Sequence, residues 1–371
     1  GGPGSFIGAM HRAAARLDDR YEIVAGVLSS DPERSATAAA GIGIASDRAY
    51  ATAESLFAEE GARQDGADVV AIMTPNDSHH SYAVGALRHG FDVICDKPIA
   101  NTLAQAVDVL ATVEDTGLVF CLTHNYTGYP MVRQARAMVA DGQLGTLQLV
   151  QVEYVQGGKA GERDPDHDGP LPWRYDPVRG GPSLVLGDIG THAHNLVRFV
   201  TGLEVTELCA EVGHIVPNRL VDDYAGALLR LDNGARGSFW VTQAAAGVEN
   251  CLRLRVSGTK GTLEWLQEVP TQLSFKPLGA PAEMRTPNGP GTLPLARRAS
   301  RIVAGHPEGF HEGFANIYAD AAEAIAARRA GVEPDPLALV FPSAVDGVRG
   351  VAFVEAALAS AANDGTWTTV V

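Results

Sequence analysis

The 371-residue sequence predicts an α/β protein in two units: an N-terminal doubly wound parallel sheet and a C-terminal α+β domain with a large, open, mainly antiparallel sheet. Two observations predict it. Over residues 1–125, short apolar runs alternate with longer Ala-rich amphipathic stretches, the grammar of βαβ units around a parallel sheet. From about residue 126 the runs lengthen and alternate in polarity, as in antiparallel strands with helices set apart. The expected units are therefore 1–125 and 126–371, and a chain of this length has enough residues for two cores.

The chain opens on Gly1-Gly2-Pro3-Gly4-Ser5-Phe6-Ile7-Gly8. Gly2-x-Gly4-x-x-x-Gly8 is one residue longer than the usual Rossmann dinucleotide fingerprint, whose glycines keep side chains away from a pyrophosphate at a helix N-terminus. A helix is expected over Phe6–Leu17, because Ile7, Met10, Ala14 and Leu17 share one face. Gly-Pro-Gly-Ser also matches a protease-site remnant; read as a loop, it carries the expectation that a first strand precedes Gly1. Gly2, Gly4, Ser5, Phe6 and Ile7 are the candidate pyrophosphate residues.

Tyr21–Leu28 reads as the next strand and ends at Ser29-Ser30, where a Rossmann fold reads the cofactor ribose. Asp31-Pro32 has the form of a helix cap followed by proline at the first helical position, which engages Asp31. With Ser29, Ser30 and Arg34 in place of a ribose-binding acid, the cofactor is expected to be NAD or NADP. Strands are next expected over Asp68–Thr74, Phe91–Cys95 and Leu118–Thr123. They end in Thr74-Pro75-Asn76, Asp96-Lys97-Pro98 and Thr123-His124-Asn125, at the sheet edge where doubly wound folds bind ligands.

In the second unit a helix is expected over Met131–Ala140, and strands over Leu147–Val155, Tyr224–Leu231, Ala235–Thr242 and Leu252–Val256, with Asp232-Asn233-Gly234 as a hairpin turn. Residues 157–182 and roughly 276–309, rich in Gly and Pro, read as long loops, and helices are expected over Phe314–Arg329 and Ala344–Ala362.

A net charge of −15, spread along the chain, opposes nucleic-acid binding, and no apolar run approaches membrane-spanning length. Cys95, Cys121, Cys209 and Cys251 form no Cys-x-x-Cys pair, which points to reduced thiols in the cytoplasm and not to a zinc site.

Three motifs, Thr74-Pro75-Asn76-Asp77-Ser78-His79, Asp96-Lys97-Pro98 and Gly187-Asp188-Ile189-Gly190-Thr191-His192, together resemble the glucose-fructose oxidoreductase/inositol dehydrogenase/rhizopine catabolism family, Gfo/Idh/MocA. The resemblance covers essentially the whole chain. It implies that Thr74, Pro75, Asn76, His79, Asp96 and Lys97 bind the cofactor, with the family's Glu-Lys-Pro replaced by Asp96-Lys97-Pro98 and its proline often cis. It also implies Lys97, Asp188 and His192 as catalytic residues. Asn195 stands where the family often has an acid.

The chemistry accounts for these residue types independently. Oxidation of a secondary alcohol needs a base within reach of the hydroxyl, a role His192 fits, with Asp188 a candidate for substrate binding or for orienting the histidine. An ammonium beside the oxygen favours developing alkoxide charge, a role for Lys97. Expected substrate contacts are Lys97, Asn125, Tyr126, Trp173, Arg174, Asp188 and His192, with Trp173-Arg174-Tyr175 as a sugar platform or a loop anchor. Tyr129, His124, His194 and His306 are further pocket candidates, and His80 is expected at the surface. His192 and His194, two apart on a helix, converge poorly on a metal, so none is expected.

The expected activity is therefore that of an NAD- or NADP-dependent dehydrogenase acting on a secondary hydroxyl of a sugar, glycoside or cyclitol, with pyranoside C3 as a refinement. The alternatives are a dinucleotide-binding regulator and a redox-neutral glycoside-cleaving enzyme with retained NAD. A homo-oligomer, dimer or tetramer, is expected because the open sheet leaves a face to cover.

Overall fold

In a computed structural model of the chain, residue 2 and residues 4–161, 172–217 and 219–371 are described. The first unit runs α1 (Phe6–Leu17), α2 (Pro32–Gly41), α3 (Ala53–Ala62), β1 (Val69–Ile72), α4 (His79–Arg88), β2 (Asp92–Cys95), α5 (Leu103–Thr116) and β3 (Phe120–Leu122). The strands pair in parallel in the order β1-β2-β3. The apolar runs of β2 and β3 are continuous because both their faces are covered. Val93, Cys95, Phe120 and Leu122 pack in one core with Ala83, Leu87 and Val109 of the helices, while Ile94 and Cys121 point into another with Ala14 and Ala15 of α1. The helix ends follow local chemistry: Asp31 caps α2 by accepting from Arg34 N at 2.8 Å, and Gly117 closes α5 at φ 64°.

One expected strand departs from this pattern. Tyr21–Leu28 makes only the parallel bridge Gly26↔Ala49, and β1 ladders only with β2. Residues Ile23–Leu28 and Val69–Ile72 instead face a common cleft, so the segment has no ladder partner from which a strand is built.

The second unit contains α6 (Pro130–Ala140), β4 (Leu147–Val155), a π-helical turn (Leu186–Gly190) running into α7 (Thr191–Thr201), β5 (Val205–Gly213), β6 (Tyr224–Leu231), β7 (Arg236–Thr242), β8 (Cys251–Gly258), β9 (Gly261–Leu266), β10 (Leu273–Pro277), β11 (Glu283–Arg285), α8 (Pro294–Arg298), α9 (Phe310–Ala330), α10 (Ala344–Ala362) and β12 (Thr368–Thr369). Nine strands form one sheet, β11-β10-β9-β8-β4-β7-β6-β5-β12, antiparallel except where β4 and β7 run together. That parallel pair brings the carboxyl ends of β4 and β7 to one edge. The stretch expected as a loop over 276–309 contains β11 and α8.

One sheet face buries Val150, Val152, Phe239, Val241 and Leu254 against Val132, Leu196 and Phe353 of α6, α7 and α10. The opposite face leaves Leu149, Leu228 and Trp240 exposed. The last two long helices tie the units together. Phe314, Ile317 and Tyr318 of α9 share a core with Ala14 and Ala15 of α1, and Val351 of α10 packs into the first unit while Phe353 and Val354 pack into the second. Among the described residues no helix is long and apolar enough to cross a membrane.

Candidate active site

A cleft runs between residues 20–28 and β1, passes over the carboxyl edge of the parallel sheet and reaches Asp188 in the π-helical turn before α7. The opening loop lines one end. Ser5 caps α1 by accepting from Gly8 N at 3.1 Å, and a Cβ at Gly2 would come within 2.0 Å of Leu28 O, so a side chain has no room there. Gly4 sits at φ 77°, in the left-handed region. This is a cradle that glycine alone fills, at the start of a twelve-residue helix whose dipole favours an anionic group. It fits the pyrophosphate of a dinucleotide. Phe6, Ile7, Ser29, Ser30 and Arg34 also line the cleft.

Thr74, Pro75, Asn76, Asp96 and Lys97 line its middle. Asn76 donates to Gly180 O at 2.8 Å, and Arg179 pairs with Asp77, so the segment after residue 172 is fastened to this edge. Asp96 accepts from Lys97 N at 2.9 Å and from Thr123 Oγ1 at 3.0 Å, which fixes the turn that presents Lys97. The Lys97-Pro98 bond is cis. His79, expected at the cofactor, is buried outside the cleft lining; its ring nitrogens bond Pro98 O at 2.7 Å and Thr74 O at 2.9 Å. It braces the two turns instead of meeting a ligand, because α4 carries it inward behind them.

Lys97 crosses to the second unit. Its ammonium donates to Asp188 Oδ1 at 2.9 Å and to Asp188 O at 2.5 Å. Gln243, just beyond β7, donates to Asp188 Oδ2 at 2.9 Å, and Lys159 lies 3.7 Å from that oxygen while donating to Gln243 Oε1 at 2.7 Å. Burial pushes the Asp188 carboxyl up, but Lys97, Lys159 and Arg174 outweigh it and hold the group well below the usual carboxylate range. Asp188 is a fixed anion and not a base.

His192 lies one turn further along, buried and, like Tyr126, just outside the cleft lining that Asp188 shares, with Tyr126 edge-on at 4.9 Å and Tyr154 at 6.4 Å. Burial, reinforced by Lys97, drives its pKa well below 6.5, so the ring is a neutral acceptor. Its Nδ1 meets His124 Nδ1 at 3.3 Å; Asp188, one candidate for orienting this ring, is engaged by Lys97 and Gln243. Asn125 and Tyr126, expected at substrate, are buried and outside the cleft lining; Tyr126 Oη bonds Tyr154 Oη at 2.5 Å.

Trp173 and Arg174 line the cleft, the guanidinium 4.5 Å above the indole. Tyr175 is the anchor: it is buried, with the Lys159 ammonium at 5.9 Å and the Arg219 guanidinium at 5.7 Å. Part of the long loop, residues 162–171, lies outside the described residues. Tyr129 packs on Tyr126 and Trp265, His194 stacks on Phe353 at 4.4 Å, and His306 is exposed and bonds Val303 O, so these three belong to the core or the surface and not to the cleft. His80 pairs with Asp108.

Gln243 and Lys159 were not singled out by sequence reasoning. Only the parallel pairing of β4 with β7, strands separated in sequence by β5 and β6, brings residues after both to Asp188.

A glycine cradle at a helix N-terminus, sharing one cleft with a half-buried Lys–Asp pair, defines a dinucleotide-dependent oxidoreductase. Residues 2–126 match the oxidoreductase family with an NAD-binding Rossmann fold, and residues 132–264 match the GFO/IDH/MocA C-terminal domain. The chain belongs to the Gfo/Idh/MocA oxidoreductase family. It is 32% identical to the uncharacterised oxidoreductase YfiI of Bacillus subtilis (strain 168), over 99% of this chain and 94% of that one. Among solved structures it is similar to an inositol dehydrogenase homologue from Azotobacter vinelandii complexed with NAD+, at 34% identity and TM-score 0.93, covering 99% and 95% of the two chains. It is also similar to a levoglucosan dehydrogenase complexed with NADH and levoglucosan, at 25% identity and TM-score 0.81, covering 100% and 97%.

Proposed function

We propose that this oxidoreductase moves a hydride between a nicotinamide and a secondary hydroxyl of a cyclic polyol, a sugar, glycoside or cyclitol. The observation that carries the reading is Lys97, placed at the cofactor edge and bonded to Asp188 at 2.9 Å across the cleft. The nicotinamide, when bound, takes up the hydride or returns it. Lys97 holds the substrate oxygen and stabilises alkoxide charge, Asp188 keeps the ammonium in place, and neutral His192 takes the hydroxyl proton. Trp173 offers a flat apolar surface and Arg174 N–H donors to substrate hydroxyls, both from the cleft lining. The similar A. vinelandii homologue was also crystallised with NADH and myo-inositol, which supports a cyclic polyol here.

At the adenosine end, Asp31 is engaged as the α2 cap and Ser29, Ser30 and Arg34 line the cleft, which supports acceptance of NADP beside NAD. The exposed Leu149, Leu228 and Trp240 support a second copy of the chain on the outer sheet face, and the four unpaired cysteines fit the cytoplasm.

Initial rates with NAD and NADP across inositols, aldoses, glucosides and 1,6-anhydrosugars test the reading. Turnover with at least one cyclic polyol is expected. Tight cofactor binding without turnover on any of them overturns it in favour of a regulator.

A further inference from the structure

His124 reaches the site from the end of β3, in the first unit, whereas His192 belongs to α7, in the second. The His124 backbone is fixed on both sides: its N–H bonds Leu122 O at 2.9 Å, and its carbonyl accepts from Thr127 Oγ1 at 2.9 Å and Thr127 N at 3.1 Å. Its side chain is buried and perpendicular to His192, with ring centroids 5.1 Å apart. The only hydrogen bond of either ring among the described residues joins the two Nδ1 atoms, at 3.3 Å.

Two Nδ1 atoms share one proton, so the two tautomers are locked together. If His124 carried the shared proton, His192 would be protonated at Nε2 and could only donate there. If His192 carries it, His192 Nε2 bears a lone pair. That Nε2 is neither hydrogen-bonded among the described residues nor sealed from solvent, so it is the nitrogen left for substrate.

We propose that His124 is a positioning residue of the reaction: it accepts the Nδ1 proton of His192 and thereby presents Nε2 as the base. The inference rests on His192 being that base. In the oxidative direction the O–H bond of the substrate breaks and its proton joins His192 Nε2. The carbinol C–H electron pair leaves with its hydrogen as hydride to the oxidised nicotinamide, and a C=O bond forms. His192 is then an imidazolium whose Nδ1–H still points at the lone pair of His124. The arrangement requires His124 to stay neutral, since a protonated ring donates from both nitrogens. Burial holds the His124 pKa down at about 3; Lys97 and Arg198 act with it, and Asp346 and Asp96 act against it.

The test compares His124→Phe, which fills the site without an acceptor, with His124→Asn, whose side-chain oxygen takes the Nδ1 position. Imidazole ¹⁵N NMR of the protein without substrate is expected to show His192 as the Nδ1–H tautomer in wild type and in His124→Asn, and to lose that preference in His124→Phe. Steady-state rates should fall about tenfold or more in kcat/KM for His124→Phe with KM little moved, and return to within a few-fold in His124→Asn. The acid limb of the kcat/KM profile should move to lower pH in His124→Phe, because the imidazolium of His192 loses its acceptor. An unchanged His192 tautomer together with kcat/KM within twofold in His124→Phe overturns the proposal. His192→Gln separates the two readings: if it keeps wild-type turnover, the base assignment fails, while the NMR comparison still decides the pairing.

Discussion

Gln243 donates its amide to Asp188 Oδ2 at 2.9 Å, while Lys97 occupies Oδ1 at the same distance. The carboxylate is therefore held at both oxygens, and the Lys97 ammonium is held with it. Gln243→Leu removes the donor and one of the acceptors of Lys159. A hydrogen bond to a charged group contributes about 1.5–3 kcal/mol, so kcat/KM is expected to fall about tenfold or more. Gln243→Glu puts a second carboxylate beside Asp188 and should raise the pH at which activity is lost on the acid side. Wild-type kinetics in both variants would remove Gln243 from the site's support.

Lys97→Met keeps the length of the side chain and deletes the charge. Loss of one stabiliser of transition-state charge costs about 10²–10³ in kcat. Cofactor binding, read by nicotinamide fluorescence, should persist, because the glycine cradle is untouched. Turnover within tenfold of wild type would assign the oxygen-holding role elsewhere.

The opening glycines are expected to differ. Gly2→Ala puts a methyl 2.0 Å from the Leu28 carbonyl and must displace the loop, so NAD affinity measured by calorimetry should fall about tenfold or more. Gly4→Ala meets nothing within 4 Å and suffers only the left-handed backbone strain of about 1–2 kcal/mol. Equal NAD affinity in wild type and Gly2→Ala would rule out the cradle.

Four of the buried imidazoles make folding sensitive to acid. His11 is depressed to about 4 and His124 to about 3 by burial, and His192 and His194 lie well below 6.5 for the same reason. Each binds its proton more weakly folded than unfolded, so the unfolded chain takes up more protons below pH 6.5 and stability falls with pH. Each contributes a slope of about 1.4 kcal/mol per pH unit until its own folded pKa is reached. Urea midpoints should be level from pH 8 to 7 and drop steeply toward pH 5, less so in His11→Gln. A flat profile down to pH 5 would contradict the burial of these rings in neutral form.

The sequence made some of this legible and left the rest to topology. β4 and β6 occupy the expected residues because their inward positions are apolar and their outward ones polar or small along most of their length. β5 carries the adjacent pair Thr206-Glu207 where its pairing with β6 shifts register, which breaks the alternation that marks a strand. Lys97, Asp188 and His192 stand in motifs with fixed spacing. The partners of Asp188 do not: Gln243 and Lys159 come together only because β4 pairs with β7, three strands further on in the second unit. His79 was legible as a motif residue but not as a brace, because its burial depends on the turn of α4.

The packing of α9 on α1 has a consequence in time. Ala14, Ala15, Ile94 and Cys121 are covered by Phe314, Ile317 and Tyr318, residues made long after the parallel sheet. At a synthesis rate of about 5–20 residues per second, roughly ten to forty seconds separate the end of the first unit from the arrival of its covering helix. Throughout that interval the nascent first unit lacks the helix that covers this apolar face, the kind of exposure that makes a partly synthesised chain prone to aggregate.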